Sequence, residues 1–104
     1  MWLLTTTNNA SVTIYNRSQT TLRNVILAAP GQSMSFDDIR PGLGGGFATD
    51  PHFRYEVRVA FDAGGQRYDT VTRLHMLPIG DTIVSAYVDD RMKVSVRAKP
   101  TFMY

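Results

Sequence analysis

Residues 53–76 read FRYEVRVAFDAGGQRYDTVTRLHM, and their pattern is the clearest structural signal in the chain. On both sides of Gly64-Gly65, aromatic and aliphatic side chains alternate with charged or small ones, which is the pattern of two half-buried strands. Two adjacent glycines favour a two-residue turn of the primed type, because both turn positions need positive φ. The segment Phe53–Met76 is therefore predicted to form a β-hairpin.

The two-residue turn also determines which residues of the hairpin face each other. Phe61 then lies opposite Tyr68, and the other pairs on that face are apolar or contain threonine. The opposite face carries residues of opposite charge in directly facing positions, predicted as Asp62–Arg67 and Glu56–Arg73. A slip of one residue would destroy both patterns, so the register is strongly specified.

The rest of the chain also reads as short strands separated by turns. No window shows the apolar spacing of a long helix. The further strand candidates are Ser11–Asn16, Leu22–Ala28, Gln32–Phe36, Phe47–Asp50, Thr82–Val88 and Met92–Arg97. Seven or eight short strands predict an all-β fold, a single antiparallel β-sandwich. A chain of 104 residues is expected to be one domain spanning residues 1–104.

Two local expectations accompany this fold. A turn at Asp89-Asp90 would pair the strands on either side of it, with Ile83, Ser85 and Tyr87 facing Val96, Val94 and Met92. Residues Asp37–Asp50 contain Pro41-Gly42 and the triplet Gly44–Gly46, and they are expected to form a loop, flexible at the glycines, with a weak edge strand at its end.

Composition excludes several classes of function. The chain has no cysteine, which rules out disulfides, thiolate metal sites and cysteine nucleophiles. The net charge is only +2, and the basic residues form neither a run nor a stripe. Neighbouring strand residues point to opposite faces, so the basic and aromatic side chains of Arg54-Tyr55 and of Arg67-Tyr68 do not share a surface. No nucleic-acid partner is therefore expected.

The first residues leave the compartment open. Met1-Trp2-Leu3-Leu4 is apolar, but four residues cannot cross a bilayer, which needs about 20, nor form the 7–15-residue core of a signal peptide. As written, the chain is expected in the cytoplasm. If a signal or anchor segment was removed just before it, the periplasm or cell envelope is expected, and only then a membrane anchor.

One motif resembles a known group of domains. It comprises Val12, Ile14, Asn16, Ser18, Leu22, Asn24 and Val25, followed by Ile39-x-Pro41-Gly42. This pattern is similar to the first half of bacterial immunoglobulin-like and fibronectin-III-like sandwiches, in which an Asn-x-Ser turn joins the first two strands. The motif covers about a third of the chain and indicates the fold, not a function. The chain departs from antibody-type domains, since it has no cysteine pair and Trp2 is not in a core strand. The resemblance implies a cell-envelope or secreted interaction module and no catalytic residue.

The residues that carry chemistry point away from catalysis. There is no P-loop or nucleophile elbow, and His52 and His75 are the only imidazoles. The aspartates sit at expected turns, where their side chains bond the local backbone. No catalytic residue, cofactor or metal site is therefore predicted, and the chain is not expected to be an enzyme. A calcium- or ligand-binding sandwich is one alternative, because loop carboxylates bind calcium in some sandwiches.

Surface recognition is the remaining hypothesis. Arginine and tyrosine are favoured at protein interfaces, and Arg54, Arg58, Arg67 and Arg73 share one predicted hairpin face. The Asp37–Asp50 segment could reach over a partner's site. The candidate partner-binding residues are Asp37, Asp38, Arg40, Phe47, Arg54, Arg58, Arg67 and Arg73.

The partner of such a module would be another protein, a toxin or an envelope component. One concrete form is a bacterial immunity protein that inhibits a secreted toxin. The alternative is a structural or spacer domain of an envelope protein. Homodimers could also form by strand-edge pairing.

Overall fold

Eight strands make up the computed structural model, which describes residues 10–49, 54–75 and 82–100. They follow the alternating segments of the sequence closely. Their bounds are β1 (Ala10–Asn16), β2 (Leu22–Ala29), β3 (Gln32–Ile39), β4 (Gly44–Thr49), β5 (Arg54–Ala63), β6 (Gln66–His75), β7 (Thr82–Val88) and β8 (Val94–Pro100). Within these described ranges there is no helix long and apolar enough to cross a membrane.

The strands form two packed sheets, so the expected all-β sandwich is confirmed. Sheet A has the order β4-β1-β7-β8, and sheet B has the order β3-β2-β5-β6. Sheet A is mixed rather than wholly antiparallel, because β1 runs parallel to β7. In immunoglobulin constant domains the first two strands are neighbours in one sheet. Here β1 and β2 lie in different sheets.

The hairpin of β5 and β6 has the predicted register over all described positions. Phe61 faces Tyr68, and Tyr55 faces Leu74. The rings of Phe61 and Tyr68 stack with centroids 5.3 Å apart. Gly64 and Gly65 have φ values of 57° and 80°, as the primed turn requires. The last predicted pair, Phe53 with Met76, lies outside the described residues.

The core lies between the sheets and is made by one side of each inner strand. Val12 and Ile14 of β1 are fully buried, as the alternation predicts. The other large buried side chains include Leu22, Val25, Leu27, Tyr55, Val57, Val59, Phe61, Val84 and Val88. The hydroxyl of Tyr55 makes a buried hydrogen bond with Thr49 Oγ1, which joins β5 in sheet B to β4 in sheet A.

The expected pairing of the last two strands is wrong. Val88 faces Val94 and Ile83 faces Lys99, so the register is shifted by an odd number of residues. The two faces of β7 are therefore exchanged, whereas Ser95 and Arg97 of β8 stay on the outer face as expected. The connection is longer than a turn at two aspartates. Met92 has a φ of 62°, and the Asp89 carboxylate accepts hydrogen bonds from the amides of Arg91 and Lys93. This loop lets β7 bury its valines instead of Tyr87.

The segment predicted as a loop between residues 37 and 50 is mostly strand. β3 continues to Ile39, a short turn follows, and β4 begins at Gly44 as an edge strand. The triplet is not a flexible loop, because β4 lies very close to its neighbours. A Cβ atom at Gly46 would lie 2.2 Å from the carbonyl oxygen of Val12, and one at Gly45 would lie 2.6 Å from the Phe36 ring. Glycine is needed for that approach.

A buried asparagine organises the turn between β1 and β2. Asn16 is only 1% exposed, and its side-chain Nδ2 donates to the carbonyls of Thr20 and Ile39, both at 2.8 Å. Its Oδ1 accepts from the amide and the hydroxyl of Ser18. The Asn-x-Ser motif therefore ties the turn to the end of β3.

Candidate functional site

The outer face of the β5–β6 hairpin brings together the arginines singled out in the sequence. Because successive strand residues point to opposite sides, the register places four arginines on one face with three carboxylates. This ion-pair face consists of Arg54, Glu56, Arg58, Asp62, Arg67, Asp69 and Arg73. All of these residues are exposed except Asp62, which is half-buried.

Three ion pairs neutralise most of this face. Arg67 lies 3.1 Å from Asp62, and Arg73 lies 3.0 Å from Glu56; these are the two facing pairs that the hairpin register predicts. The third pair, between Arg58 and Asp69 at 2.5 Å, runs diagonally across the strands and was not predicted. None of the three pairs includes Arg54.

Hydrogen bonds shift the acidity of two of these carboxylates. The guanidinium of Arg58 makes a two-pronged contact with Asp69 and lowers the pKa of that carboxyl below its ordinary value. The pKa of Asp62 is lowered first by a hydrogen bond from Asn24 Nδ2 and then by Arg67. Both carboxylates are therefore held in the charged form by neighbours within the chain.

The remaining predicted site residues do not share one surface. Asp38 lies opposite Arg23 in β3, Asp37 is exposed beside it, and Arg40 is in the turn before β4. Phe47 lies opposite Val12 in sheet A and packs half-buried against the core. Only the four hairpin arginines are brought together as predicted.

The outer face of sheet A carries a second cluster, which the sequence patterns did not reveal. Tyr15 of β1 faces Tyr87 of β7, and their rings stack at 5.4 Å with an angle of 18°. The guanidinium carbon of Arg17 lies 4.1 Å from the centre of the Tyr87 ring. Ser95 of β8 faces Tyr87 from the other side. The Tyr–Arg cluster is defined as Tyr15, Arg17, Tyr87, Ser95 and Arg97.

The cluster could not be predicted from the sequence for two reasons. Its strands β1 and β7 are far apart in the chain, and no local turn signals a parallel pairing. The expected register of β8 also turned Tyr87 toward the core. One signal was available: Tyr15 and Arg17 are two positions apart, on the side opposite Val12 and Ile14.

The surplus of positive charge lies beside this cluster rather than on the ion-pair face. The ion-pair face holds four arginines against three carboxylates. Five basic residues lie just after β1, in β8 and in the loop before β8, against two acidic residues in that loop. They are Arg17, Arg91, Lys93, Arg97 and Lys99 against Asp89 and Asp90. The three ion pairs of the described residues involve none of these.

The loop aspartates serve the backbone. Asp89 caps its own loop, as expected for a turn aspartate, and Asp90 accepts a hydrogen bond from the amide of Gln19 in the β1–β2 turn. In the described part of the chain, no group of three or more His, Cys, Asp or Glu residues could hold a metal ion. His75 faces Arg54 at the base of the hairpin, whereas His52 lies outside the described residues.

The comparisons with known proteins concern the fold alone. The chain is similar to a protein from Eubacterium rectale whose structure was determined by NMR, with a TM-score of 0.55 and 14% sequence identity. The alignment covers 93% of this chain and 94% of that one. No protein-family model matches the chain, and no curated protein matches it significantly.

Proposed function

We propose that this protein is a non-enzymatic protein-interaction module and that the Tyr–Arg cluster is the centre of its contact surface. The observation that carries the proposal is the stack of Tyr15, Tyr87 and Arg17 on the outer face of sheet A. Tyrosine and arginine dominate the residues that contribute most to protein binding. Tyr15 remains 39% exposed, and Ile83 on the same face is 40% exposed.

The stack also supports binding because it is preformed. Three flexible side chains already hold each other, so a partner would lose less conformational entropy in ordering them. The stack lies on two inner strands of sheet A, which is a rigid support. The ion-pair face is less suited, because a partner would have to compete with carboxylates already bonded to its arginines.

Two biological forms suit such a module. One is an immunity protein that binds and inhibits a secreted toxin, and the other is an interaction domain of the cell envelope, in keeping with the bacterial immunoglobulin-like resemblance of its Asn16 motif. A structural spacer is the competing function. It predicts no partner whose binding depends on the outer face of sheet A.

The test is a pull-down from the source organism with two matched variants. Tyr15→Ser removes an exposed ring of the cluster, and Val71→Ser removes an apolar side chain, 49% exposed, from the outer face of sheet B. A partner recovered in stoichiometric amount should bind at least 10-fold more weakly to Tyr15→Ser, as for a residue contributing more than about 1.4 kcal/mol. Val71→Ser should bind like the native chain. Equal retention by both variants, or loss only with Val71→Ser, contradicts the proposal.

The ion-pair face is a second candidate because Arg54 is in none of its three ion pairs. A partner that pairs with Arg54 would be lost from Arg54→Glu and kept by Tyr15→Ser. This result would move the contact surface to the residues predicted from the sequence.

Pairing of two copies is expected to use the edge of β4. Its sequence GGGFAT has no charge, whereas the other three edge strands carry charged residues that discourage pairing. Ala48 is exposed on this edge. Ala48→Lys should abolish a dimer seen by analytical ultracentrifugation, and Ser33→Lys on the β3 edge should not. Dimers that survive Ala48→Lys would exclude this edge.

A further inference from the structure

A shallow cleft of about 220 Å³ opens on the outer face of sheet A beside the stacked rings. It is lined by Arg17, Tyr87, Asp89, Ser95 and Arg97. Tyr87 and Ser95 face each other on neighbouring strands, and Arg97 follows Ser95 on the same side of β8. Arg17, which directly follows β1, lies over the Tyr87 ring. Two guanidinium groups therefore border one cleft.

The positive charge of the cleft exceeds its negative charge, because two arginines line it against the single carboxylate of Asp89. All three ion pairs of the described residues lie on the other sheet, and neither Arg17 nor Arg97 takes part in them. The cleft contains one carboxylate, Asp89, but its Oδ1 already accepts the amides of Arg91 and Lys93 at 2.9 Å. The cleft thus offers donors and positive charge, with its one acid committed to the loop.

The position of Arg17 is held from several sides. Its guanidinium rests on Tyr87, its backbone amide donates to the carbonyl of Val88, and the turn that follows it is tied to Asp90 through the amide of Gln19. An arginine stacked on an aromatic ring keeps its N–H groups free in the plane of the guanidinium. That plane matches a carboxylate in a two-pronged hydrogen bond.

We propose that this cleft binds carboxylate side chains of an acidic segment in the partner protein. This inference rests on the proposed function and gives the partner's chemistry. The volume favours side chains over a small molecule, since sites that enclose a drug-sized ligand measure about 300–1,000 Å³. A nucleic acid fits less well, because Tyr15 and Arg17 already cover the Tyr87 ring on which a base would stack.

The test uses the full chain and a short peptide. A hexapeptide of alternating Glu and Ser is titrated into ¹⁵N-labelled protein, with the Gln-for-Glu peptide as control. The acidic peptide should shift the amide signals of Tyr87, Ser95 and Arg97. Arg17→Gln and Arg97→Gln should each weaken its binding at least 10-fold. Arg54→Gln removes the same charge from the ion-pair face and should change the affinity less than twofold.

Three results would overturn the inference. The Gln peptide could bind as tightly as the acidic one, which would remove the role of carboxylates. Arg54→Gln could weaken binding as much as Arg97→Gln, which would show attraction by overall charge. A single-stranded DNA hexamer could bind as tightly at the same site, which would make it a general polyanion site.

The native partner separates this inference from the proposed function. If the partner recovered from the organism is lost with Tyr15→Ser but kept by Arg97→Gln, the cluster binds protein and the carboxylate inference fails. If both variants lose it and Arg54→Gln keeps it, both conclusions are supported. If all three keep it, both fail.

Discussion

Replacing Asn16 with alanine should be among the most damaging single changes to this fold. The side chain lies almost fully buried at the end of β1 and makes four hydrogen bonds. Two of its bonding partners, the carbonyl of Ile39 and the amide of Ser18, would lose a hydrogen bond inside the protein. Alanine can replace none of these bonds.

The expected loss follows from the groups left behind. A buried polar group without its partner costs about 1–3 kcal/mol, so two such groups give roughly 2–6 kcal/mol. A single domain has a free energy of unfolding of about 5–15 kcal/mol. We therefore expect Asn16→Ala to remove about 4 kcal/mol and to lower the melting temperature by about 15 °C or more.

The measurement is urea unfolding followed by far-UV circular dichroism, with an unchanged m value as the check for two-state behaviour. Asn16→Asp is the matched variant, since it keeps the acceptor for Ser18 but turns a second acceptor toward the carbonyls of Thr20 and Ile39. At neutral pH it should be as unstable as Asn16→Ala. It should recover part of the loss when acid protonates the new carboxyl, because the protonated form can donate.

Two milder variants, Gln19→Ala and Ser18→Ala, complete the test. Gln19→Ala changes an exposed neighbour and should shift stability by less than about 0.5 kcal/mol. Ser18→Ala removes only the hydroxyl contacts and should cost about 1–2 kcal/mol, which gives a readable value if Asn16→Ala does not fold. A loss for Asn16→Ala no larger than that for Gln19→Ala would refute the role assigned to this side chain.

Three further predictions test the core, the edge strand and the ion-pair face. Burial raises the pKa of Tyr55, so its contribution to the free energy of unfolding is complete below about pH 10 and is lost as the pH rises above that value. Tyr55→Phe should therefore flatten the alkaline fall of the free energy of unfolding. An unchanged profile would contradict this. Gly46→Ala should cost more than Gly31→Ala, because a Cβ at Gly46 would overlap backbone atoms of β1, whereas Gly31 has open space and carries only the penalty of its φ of 80°, about 1–2 kcal/mol. Equal costs in denaturant unfolding would argue against the close approach of β4 to β1. Asn24→Gly removes the hydrogen bond to Asp62 and puts in its place a residue that also adopts the φ of 48°. The pKa of the Asp62 carboxyl should therefore rise in a ¹³C NMR titration. No change would assign the lowered pKa to the other neighbours of Asp62.

The local parts of the fold could be predicted from the sequence. The hairpin register follows from Gly64-Gly65 and period-two alternation, since a two-residue turn leaves only one pairing. The same register predicts that the hairpin arginines share a face and that Asp62 pairs with Arg67. The diagonal contact of Arg58 with Asp69 was missed, because side-chain length and rotamer decide it rather than strand position.

The residues 37–50 show where such prediction stops. A run of three glycines is typical of a loop, since glycine weakens strands. Here the triplet forms the first half of β4, and glycine is required in it because neighbouring strands approach so closely that a Cβ would clash. That crowding is a property of the assembled sheets, and no local pattern of the segment contains it.

The residues alone are enough to predict the class of fold, the β5–β6 hairpin, the absence of thiol chemistry and the composition of the ion-pair face. These follow from alternation, turn chemistry and residue type, which act over a few residues. The parallel pairing of β1 with β7 and the register of β8 emerge only in the assembled fold, because they depend on burying valines from distant segments together. From those two features come the stack of Tyr15 on Tyr87 and the charged cleft beside it, where the proposed function lies.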